Sequence, residues 1–139
     1  MGTEQETNKT IVADFNKGFI EQGDMEIFHR TMHPEFVNRT PNPGQDATGA
    51  GVAFFFTEVL RPAFPDLEVT IHDQVAEDDR VVTRKSYRGT HKGDFAGIPA
   101  TGREVRFSVI DIIRLCHNRY IEHWAVADIA GLRAQLLAG

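Results

Sequence analysis

The hydrophobic pattern of this chain changes period once, at Asp66, and that change constrains the fold more than any other feature. Upstream, apolar residues recur every three or four positions, the spacing of one helix face; downstream they alternate, the spacing of one strand face. Ile11, Val12, Phe15, Phe19 and Ile20 predict a helix from Glu4 to Glu21, ended by Gly23. Asp24 reads as the N-cap of a shorter helix carrying Met25, Ile27, Phe28 and Met32, stopped by Pro34. Phe36, Val37 and Asn38 read as a brief extended segment and Thr40 to Gly44 as a turn. Val52, Phe55, Phe56, Val59 and Leu60 mark a third helix from Ala50 to Leu60, closed by Pro62 and Pro65.

Past Asp66, Leu67, Val69, Ile71 and Val75 alternate with polar residues as a half-buried strand does. Glu77-Asp78-Asp79 turns the chain into a second strand, Arg80 to Arg88, and a loop from Gly89 to Gly102 follows with Gly at 89, 93, 97 and 102. Strands Glu104 to Leu115 and Tyr120 to Ala127 are joined by a tight turn at His117-Asn118, and Asp128 opens a last helix with Leu132, Leu136 and Leu137. Helices, then an antiparallel meander, then a helix is the α+β layer pattern: a curved antiparallel sheet closed on its apolar face by the helices, with a hollow between them. The length of 139 residues fits one domain spanning 1–139.

Composition narrows the partners. Fifteen Lys and Arg stand against 20 Asp and Glu, a net charge of −5, with the cations scattered; no basic footprint for nucleic acid results. No apolar run approaches a membrane span. One cysteine, Cys116, excludes an intrachain disulfide, and the polar start MGTEQETNKT lacks the pattern of a secretory leader, so the expected location is cytoplasmic. Ten Phe beside two Tyr and one Trp suit a dry interior and a dry cavity.

Polar groups on strand faces otherwise filled by Val, Ile and Phe are the informative ones, because burying them costs free energy unless they are paired or used. Asp111 shares parity with Phe107, Val109 and Ile113, and a two-residue turn without irregularity places it opposite Trp124. A carboxylate there suits a general acid or base; pairing with Arg114, Arg103 or a helix terminus is the structural alternative. A bulge in the hairpin would move the register by one and bring His123 to the Asp111 side instead of Trp124. Asp128 has the parity of Trp124 and also the position of an N-cap. Asn38 offers a neutral donor and acceptor for a carbonyl, and His91 lies in a loop at the expected cavity mouth. His29 and His33 are four apart but lack a following carboxylate, and Pro34 breaks the helix there, so no metal site is expected.

The loop Gly89-Thr90-His91-Lys92-Gly93-Asp94-Phe95-Ala96-Gly97-Ile98-Pro99-Ala100-Thr101-Gly102-Arg103 resembles the signature loop of the SnoaL-like polyketide cyclases, also labelled ester cyclases. Glu122-His123-Trp124, Asp128-x-x-Gly131 with Gln135-Leu136, and His33-Pro34-Glu35-Phe36-Val37-Asn38 resemble that family's other motifs, so the likeness covers nearly the whole chain. It implies the nuclear transport factor 2-like fold, a cone of curved sheet closed by helices, often a homodimer through the sheet. It also implies cofactor-free acid/base cyclisation, in which a pocket carboxylate assisted by a His and an Asn closes a ring by intramolecular aldol chemistry. Asn38 matches that Asn. The family's usual Asp position, after Trp124, holds Ala125 here, and its His position holds Asp111.

Two functions are therefore expected as alternatives. In the first, Asp111 works on a small apolar carbonyl compound held by Asn38, His91, Phe107, Val109, His123, Trp124 and Asp128, with neither cofactor nor metal. In the second, the same pocket belongs to a non-catalytic binding module.

Overall fold

The computed structural model describes residues 2–138. The helical half begins with α1, Glu4–Phe15, capped by the Thr3 hydroxyl, which accepts from the Glu6 N–H at 3.1 Å. The same rod continues as a π-helical stretch, Asn16–Glu21. The wider turn keeps Val12, Phe15, Phe19 and Ile20 all buried and sends Asn16 inward with them. Asp24 caps α2, Met25–Thr31, as its position before an apolar segment predicts. A third helical rod, α3 Gly49–Phe54, passes through a second π-helical stretch, Phe55–Leu60, into the single turn α4, Arg61–Ala63. No helix is long and apolar enough among the described residues to cross a membrane.

Two helix ends differ from the sequence reading. Met32 opens a strand, β1 (Met32–Asn38), instead of closing α2, and Pro34 lies inside that strand. A strand at the sheet edge tolerates a residue with no N–H to give. The third rod also runs past Leu60 to Ala63, with Pro62 in the turn that directly follows the π-helical stretch.

The five strands are β1, β2 Glu68–Glu77, β3 Arg80–Thr90, β4 Glu104–Cys116 and β5 Arg119–Ala127, in the order β1-β5-β4-β3-β2. The meander β2 to β5 is antiparallel as expected, but β1 pairs with β5 in parallel, so the sheet is mixed. The inner face of β4 is filled by Val105, Phe107, Val109, Asp111, Ile113 and Leu115, all buried, and the helices cover it.

The β4–β5 hairpin turns at His117 and Asn118, both with positive φ, the geometry of a two-residue type I′ turn. One residue later it bulges: Arg114 pairs with Glu122, Leu115 with Tyr120, and Ile121 is passed over. Tyr120 and His123, three apart, consequently both face inward. Asp111 pairs with Ala125, and Trp124 falls opposite Ile112 on the outer face. The helix after Asp128, α5 (Ile129–Leu137), finishes the sheet where β5 stops: the Gln135 side chain accepts from the Arg106 N–H at 3.0 Å and donates to its carbonyl at 2.7 Å.

The loop between β3 and β4 is docked, with Lys92 and Gly93 N–H donating to the Ala63 carbonyl at 2.9 and 3.2 Å. A methyl at Gly93 would overlap the Pro62 carbonyl, which is fixed backbone. Gly93→Ala is expected to destabilise the protein by about 1–3 kcal/mol through overpacking. A lowered thermal midpoint in differential scanning calorimetry, against an unchanged one, decides the point.

Candidate functional site

Between helices and sheet lies a cavity of about 400 Å³. Phe15, Phe55 and Phe56 line it from the helices, Phe107 and Val109 from β4, and Phe36 from β1. Its polar groups gather at one level of the sheet.

Asp111 is buried and its Oδ2 lies 3.0 Å from Lys85 Nζ; the two side chains are 7% and 2% exposed. Lys85 Nζ also donates to Asn16 Oδ1 at 2.6 Å, and the Asn16 amide N–H donates to the Val12 carbonyl at 2.9 Å. The backbone contact fixes which end of the Asn16 amide faces the ammonium. Burial by itself would pull the Lys85 pKa down, but the Asp111 carboxylate beside it, with Tyr87, outweighs that and the net direction is up, so Lys85 is a cation. Among the described residues, Asp111 Oδ1 is buried with no hydrogen-bond partner. One oxygen of the carboxylate is thus tied to the scaffold and the other is bare.

On the facing strand, His123 Nδ1 lies 3.1 Å from Asn38 Oδ1. That oxygen accepts from the Thr40 N–H at 3.0 Å, so His123 Nδ1 is the protonated nitrogen, and His123 Nε2 turns its lone pair toward Asp111 Oδ2 at 4.0 Å. Burial lowers the His123 pKa to about 4; Asp111 works against that shift and Lys85 with it. The ring is neutral near pH 7. With its oxygen taken by the scaffold, the Asn38 amide has only its NH₂ to offer a ligand. Tyr87 and Tyr120 also line the cavity, and burial raises both phenol pKa values.

Asp111, Asn38, Phe107, Val109 and His123 therefore come together around one cavity. Three other predicted residues do not. Trp124 is turned to the outer sheet face by the bulge at Ile121. Asp128 caps α5, its Oδ1 accepting from the Gly131 N–H at 2.8 Å, because the helix N-terminus claims the carboxylate. His91, expected at the cavity mouth, is fully buried in its own loop, where its Nδ1 accepts from the Thr101 N–H at 3.1 Å. Arg114 pairs with Asp79 and Glu122 instead of with Asp111.

Lys85 and Asn16 were not singled out from the sequence. The signal for Lys85 was present: Val81, Thr83, Lys85 and Tyr87 share one strand parity and all are buried. Asn16 carried a weaker one, adjoining Phe15 on the apolar stripe of its helix.

The family model described as SnoaL-like polyketide cyclase matches residues 10–136. The chain belongs to the SnoaL-like polyketide cyclase family. TsrD from Streptomyces laurentii is 28% identical, with a TM-score of 0.86 over 99% of this chain and 100% of that one. A putative polyketide cyclase from Acidithiobacillus ferrooxidans is 28% identical, with a TM-score of 0.82 over 94% of each chain. IdmH, a putative polyketide cyclase from Streptomyces antibioticus, is 29% identical, with a TM-score of 0.79 over 93% of this chain and 97% of that one. No curated protein matches the chain. The nuclear transport factor 2-like cone implied by the motifs is the fold these relatives share with it. Ala125, where the resemblance implies an Asp, is the residue directly across from Asp111, so the Asp111 carboxylate stands at that level of the cavity on the neighbouring strand.

The His123 environment has a pH consequence. Unfolded, its pKa is the ordinary 6.5; folded, about 4. Between those values the unfolded chain binds more protons, so stability rises with pH: this contribution is complete above pH 6.5 and lost as pH falls toward 4. The difference amounts to roughly 3 kcal/mol. Denaturant unfolding at steps from pH 7 to pH 4 is expected to show a shallower loss of stability in His123→Gln than in the wild type; parallel curves would show that His123 carries no such penalty.

Proposed function

We propose that this protein is a cyclase or isomerase acting without a cofactor on a small, neutral, largely apolar carbonyl compound, with Asp111 as general acid/base. The observation that carries the reading is the bare Asp111 Oδ1, a buried carboxylate oxygen with no partner beside a cavity that can hold a ligand. Asp111 Oδ1 takes a proton from a carbon next to a carbonyl. The electron pair of that C–H bond becomes the enolate, whose oxygen accepts from the Asn38 NH₂. In a cyclisation the enolate carbon attacks a second carbonyl of the same molecule, and the alkoxide formed takes the proton back from Asp111. His123, neutral and donating to Asn38 Oδ1, orients that amide. The aromatic walls keep water from quenching the enolate.

Ala125 is the observation behind the alternative of a non-catalytic binding module. It weighs less once Asp111 is seen to stand opposite it, since a carboxylate is then still available at that level. A homodimer through the outer sheet face belongs to the same reading; Ile110 and Val126, paired across β4 and β5 and both exposed, are the apolar residues it would cover.

Exchange of the acidic C–H of 1-phenylbutane-1,3-dione in D₂O, followed by NMR, tests the base directly. Asp111→Asn is expected to slow catalysed exchange by about 10²-fold or more, the usual contribution of a general base. Full turnover in that variant would sink the reading.

A further inference from the structure

Lys85 does more than neutralise a buried carboxylate. Among the described residues lining the cavity, Asp111 is the one acid and Lys85 the one cation, His123 being neutral. The resting site thus holds one charge of each sign and no net charge. When Asp111 takes a proton it becomes neutral, and the negative charge passes to the ligand in the same cavity. Lys85 is then a buried cation without a counter-ion, a costly state unless another anion takes the place of Asp111.

Resting on the reading of Asp111 as the base, we propose that Lys85 is the counter-ion of the enolate: the ammonium exchanges its carboxylate partner for the substrate oxyanion as the proton moves. Three observations carry this. Lys85 lines the cavity and does not merely underlie it. Its Nζ also donates to Asn16 Oδ1 at 2.6 Å, so it keeps its place when the Asp111 interaction weakens. Two of its three N–H bonds are accounted for by Asp111 and Asn16, and the third has Tyr87 beside it, phenol oxygen and ring face both, the ring centre lying 5.2 Å away. The N–H that faces Asp111 is therefore the one an incoming oxyanion takes over as the carboxylate becomes neutral. The step balances: the C–H bond breaks, the O–H bond forms on Asp111 Oδ1, and the electron pair left on the substrate is the charge that Lys85 meets. Stabilisation is greatest when the charge has developed, which is the condition for lowering a barrier instead of only binding substrate. Asn16 is in this account a positioning residue, acting through Lys85.

The test uses binding, so it does not depend on turnover. With Asp111→Asn the ammonium has lost its partner and should recruit an anion directly. The ultraviolet band of the enolate of 1-phenylbutane-1,3-dione, titrated against pH in the presence of each purified variant, gives the apparent pKa of the bound diketone. That value is expected to be lower by about one unit or more, a tenfold change in the enolate fraction, in Asp111→Asn than in the double variant Lys85→Met/Asp111→Asn. The other titratable groups around the ammonium are Tyr87, and around its partner Tyr120 and His123; all three are present in both variants. The double variant replaces an ion pair by neutral side chains of similar size, an exchange buried pairs commonly survive. Asp111→Ala, with and without Lys85→Met, runs as a second background, so a folding failure in one series leaves the comparison standing. Equal pKa values with and without Lys85 would overturn the proposal while leaving Asp111 as the base. Full exchange activity in Asp111→Asn would instead remove the base and leave the enolate affinity of Lys85 to be read by itself.

Discussion

Everything polar in the cavity is arranged around one interaction, the ion pair between Lys85 and Asp111 in a wall of Phe, Val and Ile. Two charges withdrawn from water at that depth cost several kcal/mol each, and the attraction between them returns that cost only with good geometry and further hydrogen bonds. The surroundings supply part of this. The π-helical stretch that starts at Asn16 brings an amide against the ammonium, and the backbone of α1 holds that amide in turn. Nothing comparable is supplied to Asp111 Oδ1. A purely structural pair would gain from satisfying that oxygen, or from being replaced by apolar residues of the same volume. Its bareness is the physical reason for reading the pair as a working part of the protein.

The hairpin bulge determines what that oxygen sees. Passing over Ile121 puts His123 and Ala125 on the inner face with Asp111, and puts Trp124 outside. A small residue across from the carboxylate leaves room beside it, and a neutral imidazole braces the Asn38 amide at the same level. The cone matters because it holds a carboxylate, an amide donor and a cation on three different strands, β4, β1 and β3, around one space. None of these three strands could assemble the set by itself.

The layout of helices and sheet was legible in the sequence because it depends on local periodicity, which the change at Asp66 makes plain. Asp24 as a cap and His117-Asn118 as the turn were legible for the same reason, being local backbone chemistry. The parallel pairing of β1 with β5 was not, since it joins segments some 85 positions apart, as Asn38 and His123 show, and leaves no local pattern. The bulge was visible only as an alternative, because one extra residue in a strand changes the facing of every side chain beyond it without altering composition. Asp111 could be found as a carboxylate on an apolar face. Its partner was harder to find: Lys85 falls among Thr83, Arg84, Ser86 and Arg88, where a lysine reads as solvated until the strand's buried parity is followed through. His91 was placed near the site by its loop and Asp128 by strand parity, but a loop backbone claimed the first and the helix N-terminus, the alternative its position also offered, claimed the second.

The central claim is that Asp111 Oδ1 is left bare by the protein in order to meet a ligand. A crystal structure of the wild-type protein with 1-phenylbutane-1,3-dione bound tests it most directly. The account predicts the diketone inside the cavity, its central carbon about 3–3.5 Å from Asp111 Oδ1, the separation of a reactive pose, and a carbonyl oxygen toward Lys85 or the Asn38 NH₂. A diketone seated elsewhere, or an Asp111 Oδ1 hydrogen-bonded to another side chain with the ligand in place, would contradict it.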